Sequence, residues 1–230
     1  MSDQRSYPIQ CPKCGNPFEA RLYESVNVTQ DPELREALLQ NRINRVECPA
    51  CSFDFRVDKT LLYTDSEAGL MIYWIPVRDD RMGEGEDHFS ELMQGLLKAL
   101  PSDIRPPEVQ LVFSRVELIE RIFMAKAGLE PRVIEYIKFQ IYSNNLKQVD
   151  PRTKRLLLNT EDSTEDHLFF VVQDAKTLGF ESALQYPRET YAGLVEMFDD
   201  PERGVDLLEL FPGPYVSARR HFLEEEPENE

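Results

Sequence analysis

Four cysteines fall in two Cys-x-x-Cys pairs, Cys11-Pro12-Lys13-Cys14 and Cys48-Pro49-Ala50-Cys51, and no cysteine is left over. Each pair carries Pro after its first Cys, the form of a metal knuckle. Pro fixes φ and removes a donor that the turn does not need, so the following N–H groups can point at thiolate sulfur. Gly15 suits the φ > 0 conformation after the second ligand, and Ser52 takes that place in the second pair. Four soft, anionic ligands match tetrahedral Zn²⁺. The chemistry expected is therefore one structural Zn²⁺ per chain, held by Cys11, Cys14, Cys48 and Cys51.

Three other uses of such pairs bear on this expectation. Disulfides are disfavoured in a chain with no leader-like apolar start, because the cytosol keeps thiols reduced. A thioredoxin-like pair opens a helix that lowers one thiol pKa, and neither pair here precedes an obvious amphipathic helix. Iron uses the same four-sulfur knuckles, and ligand type alone leaves that choice open.

The elements that must position these ligands are mostly β. Phe18, Ala20 and Leu22 alternate with polar residues, as do Phe53, Phe55 and Val57. Leu61-Leu62-Tyr63 and the run from Leu70 to Ile75 flank the turn-rich Asp65-Ser66-Glu67-Ala68-Gly69 and read as a hairpin. The 33 residues between the pairs exceed the ribbon spacing of about 15–20. Residues 31–39 explain the excess as an inserted helix, with Asp31 as cap, Pro32 first, and acidic residues in its first turn.

Beyond this, residues 78–87 read as a polar linker with two Gly. Phe89 to Leu100 keeps a helical period until Pro101, and Val109 to Phe113 is a short strand. Ser114-Arg115-Val116-Glu117 is a capping box opening a helix that closes at Gly128. Pro131 starts another, with Val133, Ile134, Ile137 and Ile141 on one face. Residues 155–158 and 167–172 read as strands, and Pro187 begins a helix with Tyr191, Leu194, Val195 and Phe198. The chain ends in an acidic run, Glu224-Glu225-Glu226-Pro227-Glu228-Asn229-Glu230, expected to fray. The fold class expected is α+β. It has three parts: a β-rich zinc-ribbon-like module with an inserted helix at 1–77, a mostly helical region at 78–150, and a mixed C-terminal region at 151–230.

Net charge is −16, and residues 151–230 hold eight basic against eighteen acidic residues. Nucleic-acid binding relies on Lys and Arg displacing phosphate counterions, so this balance argues against it and against anionic lipid. No apolar run reaches the roughly 18 residues that cross a bilayer. Cytoplasm is the expected location.

No catalytic motif stands out. His88, His167 and His221 lack a second ligand at metal spacing and read as surface or boundary residues. Glu117 with Glu120, and Glu130 with Glu135, read as solvated helix faces. Tyr63, Tyr73 and Trp74 read as alternating into the β core rather than forming an exposed patch.

The two knuckles, together with Ser25-Val26-Asn27-Val28-Thr29, Asp31-Pro32-Glu33-Leu34, the hairpin to Ile75-Pro76, and residues 127–135, resemble the bacterial and archaeal CpXC family. The resemblance implies a metal at the four cysteines and a fold, but no reaction. The reading is a zinc-binding, non-enzymatic binding or adaptor protein whose partner is another protein. The alternatives are an enzyme with its site in the C-terminal or inter-domain region, and a nucleic-acid-binding zinc ribbon, which charge disfavours.

Overall fold

The computed structural model of the chain describes residues 2–99 and 108–224. It is α+β, with three sheets and seven α-helices among those residues. The chain divides into two compact units at 115/116, where sequence pattern places boundaries after 77 and 150.

The first unit is built on a five-stranded sheet of order β1-β2-β5-β6-β7. Its strands are β1 (Asp3–Gln10), β2 (Pro17–Asn27), β5 (Leu61–Asp65), β6 (Leu70–Trp74) and β7 (Gln110–Val112). β7 pairs in parallel with β6, which is why the unit runs past residue 77. Strand β1 lies at the edge, the position a sheet allows to Pro8, which has no N–H to donate. Leu22, Val26, Leu61, Tyr63, Ile72, Trp74 and Leu111 fill the core, so the alternation expected for Tyr63 and Trp74 holds. Tyr73 faces the other way and meets the Phe89 ring edge-on at 5.8 Å.

Strands β2 and β5 are parallel neighbours, so the residues between them form a crossover. It holds helix α1 (Glu33–Leu39) and the hairpin β3 (Arg45–Glu47) with β4 (Asp54–Arg56). Helix α1 buries Leu34, Ala37 and Leu38. The expected Asp31 cap does not form: its carboxylate accepts from the Ser2 N–H at 3.1 Å, and no side chain caps the helix. The other end is a Schellman closure, with Arg42 N donating to Ala37 O at 2.8 Å and Asn41 N to Leu38 O at 3.1 Å. Asn41 supplies the positive φ of 60°. Arg115 adds its guanidinium to the Leu38 and Leu39 carbonyl oxygens, at 2.7 and 3.1 Å, a cation on the negative helix end.

Residues 78–87 are not a linker. A 3-10 turn at Asp79–Arg81 leads into α2 (Met82–Ala99). Met82, Gly85 and Phe89 lie on its buried face. Gly85 is there for contact: a Cβ on it would stand 2.4 Å from the Phe113 ring. Leu100 and Pro101, the expected end of this helix, lie outside the described residues.

In the second unit, α3 (Arg115–Lys126) and α4 (Pro131–Asn145) precede an antiparallel sheet of order β10-β9-β8. Those strands are β8 (Lys154–Asn159), β9 (His167–Asp174) and β10 (Phe180–Pro187). Helices α5 (Arg188–Asp199), α6 (Pro201–Leu210) and α7 (Ala218–Glu224) follow. Leu168, Phe170 and Val172 of β9 alternate into a core shared with Val133, Ile134 and Ile137 of α4. Helix α3 closes as expected at Gly128, φ 64°. The acidic run from Glu225 onward lies outside the described residues.

Two carboxylates expected on solvated faces are buried. Glu120 and Glu135 are 5% and 4% exposed, beside Lys138 at 3% and Arg121 at 5%. Lys138 Nζ lies 2.7 Å from Glu120 Oε1 and 2.8 Å from Glu135 Oε1, and Arg121 reaches Glu135 at 3.4 Å. Glu120 also accepts from Leu158 N, Glu135 accepts from Ala218 N at 2.9 Å, and Arg121 donates to Val216 O. The four charges cancel, and their bonds join α3 and α4 to β8 and the segment entering α7. Glu117 and Glu130 are engaged too: Glu117 accepts from Tyr215 Oη at 3.0 Å, and Glu130 caps α4 through Arg132 N.

Candidate metal centre

The first knuckle is the turn of the β1–β2 hairpin, and the second is the turn of β3–β4. Their backbones repeat one pattern. Cys11 N donates to Asn16 O at 3.0 Å and Gly15 N to Cys11 O at 2.9 Å; Cys48 N donates to Phe53 O at 2.9 Å and Ser52 N to Cys48 O at 2.9 Å. Gly15 and Ser52 both adopt positive φ, 72° and 51°. Ser52 thus accepts a conformation that Gly15 adopts without a steric penalty.

All four sulfurs lie within 4.8 Å of one another, positioned to hold a metal ion. Cys11 Sγ is 3.7 Å from Cys51 Sγ, and Cys14 Sγ is 3.7 Å from Cys48 Sγ. A tetrahedron with metal–sulfur bonds of about 2.3 Å has edges of about 3.8 Å, so the set fits a four-sulfur site. Disulfides are excluded, since S–S bonds are about 2.05 Å. Cys11 and Cys48 are buried, Cys51 is half-buried and Cys14 is exposed.

The thiols do not titrate alike. Burial pushes Cys11 up, but the N–H groups of Cys14 and Lys13 and the neighbouring Cys48 and Cys14 thiols pull it down to about 7. At Cys51 the Phe53 N–H pulls down, yet burial and the other three cysteines push it up to about 12. The first negative charge is easy to place here and a later one is costly. A divalent cation removes that conflict by stabilising all the thiolates together.

What holds the knuckles face to face is not visible in the cysteine spacing. Asn44, 5% exposed, sits just before β3. Its side chain accepts from Tyr23 N at 2.6 Å and donates to Tyr23 O at 3.1 Å, acting as a strand partner for one residue of β2. Its own carbonyl accepts from Val57 N at 2.9 Å, just beyond β4. One residue therefore fixes the second hairpin to the strand that carries the first knuckle. Lys13 adds a smaller link, with Nζ 5.5 Å from the Phe53 ring centroid. Sequence reading missed Asn44; in the structure its φ is 55°, a conformation that Asn tolerates better than most residues.

The histidines are not drawn together. His88 is exposed on α2, His167 starts β9, and His221 lies edge-on to Phe139 and Phe211 at 5.6 and 5.4 Å. Among the described residues, the cysteine cluster is the one group of three or more His, Cys, Asp or Glu close enough to share an ion. No helix among those residues is long and apolar enough to cross a membrane.

Two cysteine knuckles, one on the β1–β2 turn and one on the crossover between parallel strands β2 and β5, with a helix between them, define a β module built around a four-sulfur site and followed in the chain by a second α+β unit. The chain belongs to the CpXC protein family, whose profile matches residues 9–138. The match covers both knuckles, strands β2, β5, β6 and β7 of the five-stranded sheet, and the start of the second unit. No curated protein and no solved structure matches the chain.

Proposed function

We propose that this chain is a zinc-binding protein whose metal is structural and which acts by binding another protein rather than by catalysis. The observation that carries the reading is the four-sulfur cluster at the tips of two hairpins, with two of its sulfur–sulfur distances, both 3.7 Å, close to the edge of a tetrahedral Zn²⁺ site. Cys11, Cys14, Cys48 and Cys51 would be the ligands, one ion per chain. Bound there, Zn²⁺ supplies electrostatic cross-linking of two hairpins; four thiolates fill its coordination sphere and keep no position for a substrate. The buried tetrad fits the same reading, because its charges are paired with one another and with backbone groups. Four free thiols suit a reducing compartment, and we extend the reading to the cytoplasm. Net charge of −16 sets nucleic acid and anionic membranes aside as partners.

Elemental analysis of purified protein tests the metal. The expected result is about one zinc per chain, lost together in the Cys14→Ser, Cys48→Ser double variant. A red protein with iron–thiolate absorbance, or a preparation free of metal yet folded in both hairpins, would overturn it.

A further inference from the structure

The second unit carries an apolar groove with an acidic rim. A hollow of ≈ 390 Å³ opens between α4, α5 and α6, with Val133, Val195, Phe198, Val205 and Leu208 in its lining. This lies within the size of ligand-binding clefts, about 300–1,000 Å³. Phe198 and Leu207 are shared with a second hollow of ≈ 410 Å³ that includes Tyr136, Met197 and Leu210. Val205 and Leu208, each 50% exposed, stand three residues apart on one face of α6. Such a pair is spaced for an apolar partner helix.

The groove has a firm floor. A Cβ on Gly204 would stand 2.9 Å from the Phe198 carbonyl oxygen, so α5 and α6 approach as closely as a glycine permits. Asp200 accepts from Glu202 N and Arg203 N at 3.1 and 3.2 Å and fixes the turn between the helices. The shape is preformed, which lowers the entropy cost of binding.

Charge selects the occupant. Glu130, Asp199 and Asp200 lie in the lining with one cation, Arg132, whose Nε donates to Phe211 O at 3.3 Å. Residues 188–210 hold seven acidic residues against Arg188 and Arg203. A second copy of a chain at net −16 is repelled there, as are phosphates. A segment with Leu-like residues on one face and Lys or Arg beside them meets both the apolar floor and the rim.

We propose that this groove docks a basic amphipathic helix of a partner protein. The proposal rests on the protein-binding reading above and names where the partner sits and what chemistry it presents.

Fluorescence anisotropy with the full chain tests it, using a labelled Leu/Lys amphipathic peptide of about five helical turns. Two control peptides replace Lys by Glu or Leu by Ser. The Leu/Lys peptide is expected to bind at least about 10-fold tighter than either control, and to weaken as salt rises. Val205→Ser with Leu208→Ser removes apolar contact without touching charge; Asp199→Lys changes charge without touching the floor. Each is expected to weaken binding by about 5-fold or more, with an unchanged thermal midpoint, since these positions are exposed. Binding untouched by the Ser pair would reduce the contact to charge alone, and binding untouched by Asp199→Lys would reduce it to apolar adhesion. Either result, or no binding of the Leu/Lys peptide, overturns the groove. Cross-linking in cells separates this from the broader reading. Proteins captured equally by the wild type and the Ser pair leave the adaptor reading standing and remove the groove. A wild-type chain that captures none removes the adaptor reading.

Discussion

The Asn44 side chain bonds to both the N–H and the C=O of Tyr23, so one amide joins β2 to the hairpin that carries Cys48 and Cys51. Asn44→Ala leaves two backbone groups of a half-buried strand without partners. A cost of about 1–3 kcal/mol is expected in denaturant unfolding of the first unit. Metal affinity, measured by chelator competition, is expected to fall with it. Asn44→Asp keeps the acceptor and loses the donor, so it should retain only part of the wild-type value. Equal midpoints for all three proteins would show that the knuckles align without this residue.

Ser52 sits at φ 51° where Gly15 sits at 72°. A non-glycine residue in this region carries strain of about 1–2 kcal/mol, while glycine brings extra freedom to the unfolded chain. Ser52→Gly is therefore expected to stabilise the metal-bound protein by about 0.5–1 kcal/mol. Gly15→Ala should destabilise it by about 1 kcal/mol through backbone strain alone, because an added Cβ meets only the Gln10 side chain at 3.7 Å. Thermal unfolding of both variants at saturating zinc reads the sign.

Removing the metal should loosen the knuckles before the sheet. The core of Leu22, Val26, Leu61, Ile72 and Leu111 is completed by strands that carry no ligand. In Cys48→Ser, or after strong chelation, hydrogen exchange is expected to quicken at residues 11–16 and 44–57. Amides of β5 and β6 should stay protected, and so should the second unit. Equal loss of protection throughout residues 2–77 would make the metal the organiser of the whole sheet.

The buried tetrad gives the second unit a defined pH response. Burial pulls Lys138 down, but Glu120 and Glu135 raise it further, so its folded pKa lies above the ordinary value. Stability from Lys138 is complete below about pH 10.4 and is lost as pH rises through the folded value. Tyr142 and Tyr215, both raised by burial, act in the same direction. At acid pH, burial pushes Glu135 up while Lys138 and Arg121 pull it below its ordinary value. Its contribution is present above about pH 4.3 and lost as pH falls through the folded value. Glu120, raised by burial, opposes this loss in part. Lys138→Met should destabilise the unit by about 3–5 kcal/mol at pH 7, because two buried carboxylates lose their shared cation. It should also shrink the alkaline slope by about one proton, read from unfolding midpoints across pH. An unchanged slope would assign the alkaline loss to the tyrosines alone.

Nucleic acid is expected not to bind. At physiological salt, anisotropy with labelled duplex DNA or single-stranded RNA should show no submicromolar affinity, given a net charge of −16. Tight binding that falls steeply with salt would reverse this expectation.

The cysteines were legible because each knuckle is local: two ligands, a Pro and a φ > 0 position within five residues. Asn44 was not, because its role exists only once Tyr23 stands beside it. Glu120 and Glu135 were misread for a related reason. Charges on a core-facing helix surface break the usual apolar pattern, and they are tolerated here because Lys138 and Arg121 share that interior. Gly83 and Gly85 suggested a loop in residues 78–87, yet Gly85 makes close contact inside a helix. Strand β1 went unseen because Pro8 sits in it, which an edge position permits. In the C-terminal region, β10, α6 and α7 carried too weak a period to be read, whereas the alternation of β9 was plain.

The crossover from β2 to β5 has one further consequence. Metal bound by both knuckles would close Cys14 to Cys48 into a ring of 33 intervening residues. Doubling a flexible ring adds only about 0.6 kcal/mol of closure entropy. Stretches between Asn27 and Asn44 outside α1 can therefore grow or shrink at little thermodynamic expense. The turn from Cys48 to Ser52 has no such latitude, since each of its residues sets the position of a sulfur. Length variation among relatives should collect in the ring and spare the clasp.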